Sequence, residues 1–306
     1  MPAKLTILGS GSAIPTLLRG VTSQYLNFDE RRILIDCGEG TQMQLRKYHI
    51  KFQRLQYIFI SHLHGDHFLG IFGLLTSMNL TGRTSPLTIF APGGLKKIVD
   101  VLFKESFVKL SYEIEFVEIK SKEKALVLED EVLEVFAFPV KHRIPTWGFL
   151  FHQKEKKRRI EKSMIDLHQL TIEEMRELKS GRDIRRGDST IPNRVLTLPP
   201  QPSITYAFCA DTAYFPRICE WIKGCDLLFH EATFTSKDQK RAKETMHSTA
   251  AEAARIAVEA GAKKLILGHF SARYKSTEQI MNEAIEVFSN SVCVQDGDVF
   301  TMQPIA

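Results

Sequence analysis

The feature that most limits how this chain can fold is a cluster of potential metal ligands that directly follows a short apolar segment in the sequence. Residues 57–60 (YIFI) are continuously apolar, which predicts a strand buried on both faces. The next seven residues, SHLHGDH, contain His62, His64, Asp66 and His67. Neutral imidazole nitrogen and carboxylate oxygen suit zinc or manganese. We therefore expect a metal site at the carboxyl end of a buried strand.

These four side chains are too crowded to serve one tetrahedral ion together. A division between two ions is natural, with His62 and His64 on one and Asp66 and His67 on the other. The alternative is a chance cluster of surface histidines. It is a poor alternative, because the chain has only 10 histidines in 306 residues.

The remainder of the chain alternates between apparent strands and helices, which is typical of an α/β fold. Strands are predicted at residues 4–8, 32–35, 87–90, 113–119, 132–138, 204–210, 226–229 and 264–267, and a helix at 39–48. Several of these strands end at His or Asp, as at Asp36, Asp211 and His269. Open α/β sheets bind ligands at the carboxyl ends of their strands, so these side chains could converge on one edge.

Length and cysteine content narrow the class of protein. A chain of 306 residues can form one large layered domain. Its five cysteines form no C-x-x-C pair, which argues against a disulfide framework and a zinc ribbon and fits a reducing compartment. The N-terminus has no signal-peptide pattern, and no run approaches the roughly 18 apolar residues of a membrane span. We expect a cytoplasmic enzyme without a membrane partner.

Residues 150–203 interrupt the α/β rhythm and concentrate the positive charge. Residues 150–195 contain twelve Lys and Arg against eight Asp and Glu, which accounts for four of the five net positive charges. The segment shows little strand signal. One helix is well marked, because Thr171 and Glu174 form a capping box and Gly181 is a natural stop. This pattern favours an arm that projects from the domain, although an insertion that caps the domain is also compatible.

Motifs along nearly the whole chain resemble one known family. His-x-His-x-Asp-His behind a strand is the signature of the metallo-β-lactamase fold. DCGEGTQ at 36–42, PVKH at 139–142, HEATF at 230–234, HST at 247–249 and HFSARY at 269–274 resemble elements of ribonuclease Z, the tRNA 3′-processing endonuclease. Two departures stand out: Ala210 replaces the family's Gly in Ala-Asp-Thr, and the Gly-Pro pair of the family's arm is replaced by residues 172–174.

The resemblance implies an αββα sandwich, one domain over 1–306 with a protruding basic arm at 150–203 that grips tRNA. It implies two zinc ions per subunit, although manganese or another divalent ion would also suit the ligands. It also implies that the subunit forms a homodimer. The ligands that it implies are His62, His64 and His142 on one ion, Asp66, His67 and His269 on the other, and Asp211 between them.

The implied reaction removes the 3′ trailer of precursor tRNA, leaving a 3′-hydroxyl on the tRNA and a 5′-phosphate on the trailer. A zinc pair activates water and neutralises charge on a phosphodiester. Asp66 is the expected base or water-orienting group. His247 is the candidate proton donor for the leaving O3′, and Glu231 the candidate that keeps it protonated. A buried structural brace is an equal alternative for Glu231.

Five other residues have weaker assignments. Asp36 is expected to orient a ligating imidazole, and Glu39 and Gln42 are interpreted as structural. Arg19 and Arg273 could contact RNA phosphates or be ordinary surface arginines.

Two other functions are compatible with part of the pattern. A small-molecule phosphodiesterase or another hydrolase of the same fold would keep the metals, but the basic arm and the 36–42 element argue against it. A non-catalytic RNA-binding protein would be expected to have lost ligands, whereas all seven candidate positions are filled.

Overall fold

The computed structural model describes residues 3–303, which form eighteen strands. In chain order these are β1 (Ala3–Gly9), β2 (Ser23–Phe28), β3 (Arg31–Ile35), β4 (Tyr57–Phe59), β5 (Leu87–Pro92), β6 (Ile114–Ile119), β7 (Ala125–Glu129), β8 (Leu133–Pro139), β9 (Trp147–Gln153), β10 (Arg159–Ile160), β11 (Ile184–Arg186), β12 (Ser189–Ile191), β13 (Thr197–Leu198), β14 (Ile204–Cys209), β15 (Leu227–Glu231), β16 (Leu265–Gly268), β17 (Ser291–Cys293) and β18 (Val299–Met302).

Eleven α-helices connect these strands within the same residues. They are α1 (Thr41–Lys47), α2 (Gly65–Phe68), α3 (Ile71–Leu80), α4 (Leu95–Glu105), α5 (Lys162–Leu167), α6 (Ile172–Lys179), α7 (Asn193–Leu196), α8 (Ile218–Trp221), α9 (Gln239–Thr245), α10 (Ala250–Ala260) and α11 (Glu278–Val287). Thr249 and Glu252 form the capping box of α10, and Gly261 ends that helix at φ 64°.

Two seven-stranded sheets face each other. Their strand orders are β18-β1-β2-β3-β4-β5-β6 and β17-β16-β15-β14-β9-β8-β7. Strands β3 to β6 run parallel in the first sheet, as do β14 to β17 in the second. The inner core joins both sheets: the ring of Phe59 meets Phe149 and Phe151 edge-on, with centroids 5.2 and 5.4 Å apart.

Helices cover the outer face of each sheet. Buried residues of α1, α3 and α4 pack on the first sheet, and those of α8, α10 and α11 pack on the second. The αββα sandwich that the sequence predicts is therefore confirmed. Among residues 3–303, no helix combines the length and the apolar character that crossing a membrane requires.

The predicted strands are confirmed to within two residues at each end, but the others were missed: β2, β7, β9, β17 and β18 in the large sheets and β10 to β13 in the small pairs. β2 was not predicted because Gln24 occupies a fully buried position, where the alternating pattern of a strand requires an apolar residue. Gln24 accepts a hydrogen bond there from the Tyr206 hydroxyl. β18 pairs with β1 across almost the whole length of the chain, and its alternation is too short to be recognised.

The basic segment differs from the prediction at its start. Residues 150–153 belong to β9, whose aromatic run continues to the fully buried Phe151, so the part outside the sheets begins at Lys154. We call residues 154–203 the arm. It contains four short strands where little strand signal was expected, in two small antiparallel pairs. It also has its own small core of Leu170, Leu178, Ile184 and Leu196.

Candidate active site

The strand ends of both sheets bring all seven predicted ligands to one edge of the sandwich. His62 to His67 follow β4, whereas the remaining three follow strands β8, β14 and β16 of the second sheet. They form two groups whose ligand atoms lie within 4.8 Å of one another, namely His62, His64, His142 and Asp211, and Asp66, His67 and His269.

The first cluster brings four possible donor atoms close together. His64 Nδ1 lies 3.0 Å from His62 Nε2 and 3.2 Å from His142 Nε2. Asp211 Oδ2 lies 3.4 Å from His62 Nε2 and 3.6 Å from His142 Nε2. Four donor atoms thus surround one point.

The second cluster uses the other oxygen of the same aspartate. Asp211 Oδ1 lies 3.2 Å from His67 Nε2 and 3.0 Å from His269 Nε2. The two imidazole nitrogens are 3.3 Å apart, and Asp66 Oδ2 is 3.5 Å from each. Asp211 therefore places one carboxylate oxygen in each cluster.

These separations fit a zinc site. Ligand atoms about 2.0–2.1 Å from a tetrahedral zinc ion stand about 3.3–3.4 Å from one another. The nine distances between donor atoms given above run from 3.0 to 3.6 Å and scatter around that value. Asp211 Oδ1 is also buried and has no hydrogen-bond donor among residues 3–303, which is costly for a carboxylate oxygen unless a cation meets it.

Hydrogen bonds behind His67 and His62 fix which ring nitrogen is bare. The fully buried Asp36 accepts from His67 Nδ1 at 2.7 Å, so His67 Nε2 carries a free lone pair towards the cluster. Ser61 Oγ donates to Asp36 at 2.9 Å and meets His62 Nδ1 at 3.0 Å. The expectation that Asp36 orients an imidazole thus agrees with its contacts.

His142 and His269 are held in the same way by other partners. His142 Nδ1 donates to the carbonyl of Met246 at 2.9 Å, and His269 Nδ1 meets Thr233 Oγ1 at 2.9 Å. His64 is the exception among the five, because it turns Nδ1 inward. All five histidines therefore present one nitrogen to a cluster.

Electrostatics favour neutral imidazoles in the first cluster and a cation near the second. Burial lowers the pKa of His62 to about 3, and it lowers the pKa of His64 and His142 as well. Burial opposes the charged form of His67 too, yet the carboxylates of Asp211 and Asp36 raise its pKa well above the usual value. Negative potential of this strength attracts a metal ion.

A second carboxylate–imidazole pair lies beside the clusters. Glu231, at the end of β15, is fully buried and accepts from His247 Nδ1 at 2.8 Å. Burial alone would lower the pKa of His247, but the Glu231 carboxylate overrides it and raises that pKa to about 9. The His247 side chain keeps 16% of its surface exposed and lines the cleft over the clusters, so Glu231 favours the charged form of an imidazole that faces the cleft.

This cleft has a volume of about 390 Å³. Asp66, Asp211, His64, His247 and His269 lie along its floor, and the loop after β1 forms one wall. The backbone N–H of Ala13 in that loop donates to Asp66 Oδ2 at 2.8 Å. Ala13 has a φ of 59°, a left-handed backbone conformation that is uncommon for a residue other than glycine. The loop therefore orients a carboxylate of the second cluster.

The weaker candidates lie at the margin. Arg19 donates to the carbonyl of Tyr274 at 3.2 Å and stacks over Phe270. Arg273 pairs with Asp238 at 3.2 Å. Both arginines are already engaged within the chain.

Glu39 and Gln42, the two residues of the 36–42 element that were interpreted as structural, lie in different surroundings. Glu39 is exposed and lines the cleft, whereas Gln42 Oε1 accepts from Ser77 on α3. Glu39, which we interpreted as structural, therefore faces the place where a substrate would lie.

Two residues of the site were not singled out from the sequence. Ser61 and Thr233 both place a hydroxyl against a ligating imidazole. For Thr233 a signal existed: it follows Glu231 by two residues, and in an extended segment such residues share a face.

Comparison with known proteins places the chain among hydrolases of this fold. Residues 165–270 match the family model described as the beta-lactamase superfamily domain, and residues 3–124 match the model of the anti-Pycsar protein Apyc1.

Whole-length relatives are more specific. The chain is 45% identical to a ribonuclease Z of Bacteroides thetaiotaomicron over 98% of its own length and 95% of the relative. It is 44% identical to a ribonuclease Z of Bacteroides fragilis, with 96% and 97% covered. The crystal structure of human tRNase Z, short form, superposes with a TM-score of 0.72 at 27% identity and covers 99% of this chain and 100% of its own.

Proposed function

The chain belongs to the ribonuclease Z family, and from this premise we propose that it removes the 3′ trailer of precursor tRNA with two zinc ions at the paired clusters. It is a metal-dependent endoribonuclease. The proposed products are a tRNA that ends in a 3′-hydroxyl and a trailer that begins with a 5′-phosphate.

The position of Asp211 carries the proposal of a two-ion centre. Its two oxygens belong to different clusters, and each oxygen stands 3.0 to 3.6 Å from two imidazole nitrogens. Bound divalent ions would supply Lewis acidity and positive charge to a phosphodiester and its attacking water. Zinc is the proposed ion because five imidazoles and two carboxylates suit it, and manganese is the alternative.

Asp66 is the proposed water-orienting group. Its Oδ2 faces His67 and His269 at 3.5 Å and is exposed to the cleft, where a nucleophile would stand. The Ala13 N–H holds that oxygen in place and leaves the other free to accept from water.

His247 is the proposed proton donor for the departing O3′ atom. An alkoxide is a poor leaving group and gains from a positioned acid. Glu231 accepts the Nδ1 proton of His247, which leaves the Nε2 proton as the one to be donated. The buried Glu231 carboxylate keeps the His247 imidazole protonated until its Nε2 proton is transferred to O3′.

The arm is proposed to grip the body of the tRNA away from the cut. Of its cations, Arg182 pairs with Glu177 and Arg186 with Glu174, but Arg176, Lys179 and Arg185 form no ion pair within residues 3–303. Unpaired cations on a compact module suit phosphate contacts, which give affinity with little sequence preference.

Two further properties belong to the same proposal. We propose a homodimer, in which the arm of one subunit serves the site of the other. We also propose that the enzyme acts in the cytoplasm, because all five cysteines are free, which fits a reducing compartment.

The test is cleavage of a 3′-extended precursor tRNA by the wild type, His64→Ala and a control, His152→Ala. His64 contributes to the first cluster, whereas His152 pairs with Glu134 on the second sheet, away from the site. We expect cutting at the trailer boundary by the wild type and the control, and loss of cutting and of the zinc ion of the first cluster in His64→Ala. A wild type that leaves this RNA intact but hydrolyses a small phosphodiester would contradict the proposal.

A further inference from the structure

The hydroxyl of Thr233 lies at the meeting point of the second cluster and the acid pair. Thr233 Oγ1 is 2.6 Å from Glu231 Oε2 and 2.9 Å from His269 Nδ1. His247 Nδ1 is farther away, at 3.4 Å. Thr233 is 3% exposed, so water does not compete for these contacts.

The direction of each hydrogen bond follows from the donors around Glu231. Its Oε1 accepts from His247, Ser248 N and Thr212 N, and its Oε2 accepts from Thr233 N. A carboxylate with so many donors is ionised and can only accept from the Thr233 hydroxyl as well. The backbone carbonyl of His269, 3.0 Å from Thr233 Oγ1, is a second group that can only accept. The single hydroxyl hydrogen goes to Glu231, the nearer of the two acceptors, and with either acceptor it is not available to His269 Nδ1.

The remaining lone pairs of Thr233 Oγ1 then accept the proton of His269 Nδ1. This places the His269 proton on Nδ1 and leaves Nε2 bare, facing Asp211 Oδ1 at 3.0 Å and His67 Nε2 at 3.3 Å. One hydrogen-bonded chain thus runs from His247 through Glu231 and Thr233 to His269.

We propose that Thr233 is a positioning residue that sets the tautomer of His269 and thereby the affinity of the second metal site alone. The proposal rests on the two-ion centre put forward above. The first cluster is independent of Thr233, because its three histidines are held by Ser61, by the Met246 carbonyl and by one another.

The test compares Thr233→Val, which removes the hydroxyl at nearly constant volume, with Thr233→Ser, which keeps it. Thr235→Val is the matched control: Thr235 is 1% exposed, and its hydroxyl faces Tyr274. Bound zinc per chain is measured after dialysis against a graded chelator. Thr233→Val should keep one ion and bind the second about 10–100-fold more weakly, as is usual when the partner of a ligating histidine is lost. Thr233→Ser and Thr235→Val should keep two.

The number of bound zinc ions separates failure of this proposal from failure of the two-ion centre. A Thr233→Val protein that holds two ions with wild-type affinity overturns the proposal, as does a Thr233→Ser protein that loses one. A wild type that binds fewer than two ions instead contradicts the proposed two-ion centre.

Should Thr233→Val fail to fold, nitrogen-15 spectra of the wild-type imidazoles decide. His269 should appear as the Nδ1–H tautomer with a proton that exchanges slowly. An Nε2–H tautomer would refute the role of Thr233.

Discussion

Replacement of Asp36 by Asn should weaken the second metal site while leaving the fold intact. Asp36 has a φ of 55°, a left-handed conformation that Asn tolerates and Ala does not. Its carboxylate accepts from Ser61 N at 2.7 Å, Ser61 Oγ at 2.9 Å and His67 Nδ1 at 2.7 Å. The amide can keep the bond to Ser61 N, but it then presents an N–H to His67 Nδ1.

That contact forces the proton of His67 onto its other nitrogen. His67 Nε2 would then carry a hydrogen towards Asp211 Oδ1, 3.2 Å away, and would have no lone pair for a metal. Losing such a partner typically costs about 10–100-fold in metal affinity, or about 1.4–2.7 kcal/mol. In the metal-free protein the change replaces a buried anion with a neutral amide, so the free energy of unfolding should change less.

Zinc affinity by chelator competition, together with thermal unfolding with and without zinc, measures both quantities. Asp226→Asn is the control, because Asp226 also accepts a backbone N–H and a hydroxyl, from Thr205, at the opposite end of the second sheet. The reasoning is refuted if Asp36→Asn binds two zinc ions as tightly as the wild type, or if its loss of stability is the same with and without zinc.

Three further changes have defined outcomes. Glu231→Gln should slow single-turnover RNA cleavage by about 10²–10⁴-fold, and a nitrophenyl phosphodiester, whose leaving group needs no proton, should be much less affected; equal losses would remove the acid role. Leu178→Ala deletes a fully buried side chain of the arm core and should destabilise the arm by about 2–5 kcal/mol. It should raise KM for precursor tRNA but not for the small ester, and an unchanged KM for tRNA would contradict RNA gripping by the arm. Chelation should lower the melting temperature, because zinc at 1,000 times its Kd stabilises each site by about 4 kcal/mol; an unchanged melting temperature would argue against a metal centre.

The convergence of several candidate ligands could be predicted because they follow strand ends, whereas the full set of seven was implied only by the family resemblance. His62, Asp211 and His269 all follow short apolar runs, and parallel strands bring such ends together. Sequence spacing says nothing of which nitrogen faces a metal. That depends on partners such as the Met246 carbonyl, which lies 104 residues from His142.

The structure of the arm could be predicted from the sequence only in part. Its capping box at Thr171 is a local pattern and forms as expected. Its small strands pair only two or three residues each, which is too short for any periodicity to show. β9 was not predicted, and the expected start of the arm at residue 150 falls inside it, because nothing in its aromatic run tells where the sheet ends.

The division of the site between the two halves of the chain has a consequence for its biosynthesis. His67 and His269, whose bare nitrogens face each other, are 202 residues apart. At 5–20 residues per second the ribosome needs about 10–40 s to make that stretch. The residues of the first cluster are all present once Asp211 has been added, but the second cluster stays incomplete until His269 follows. The second site is therefore completed late in synthesis, and a chain that terminates before residue 269 lacks one of its three side chains as well as β18 of the first sheet.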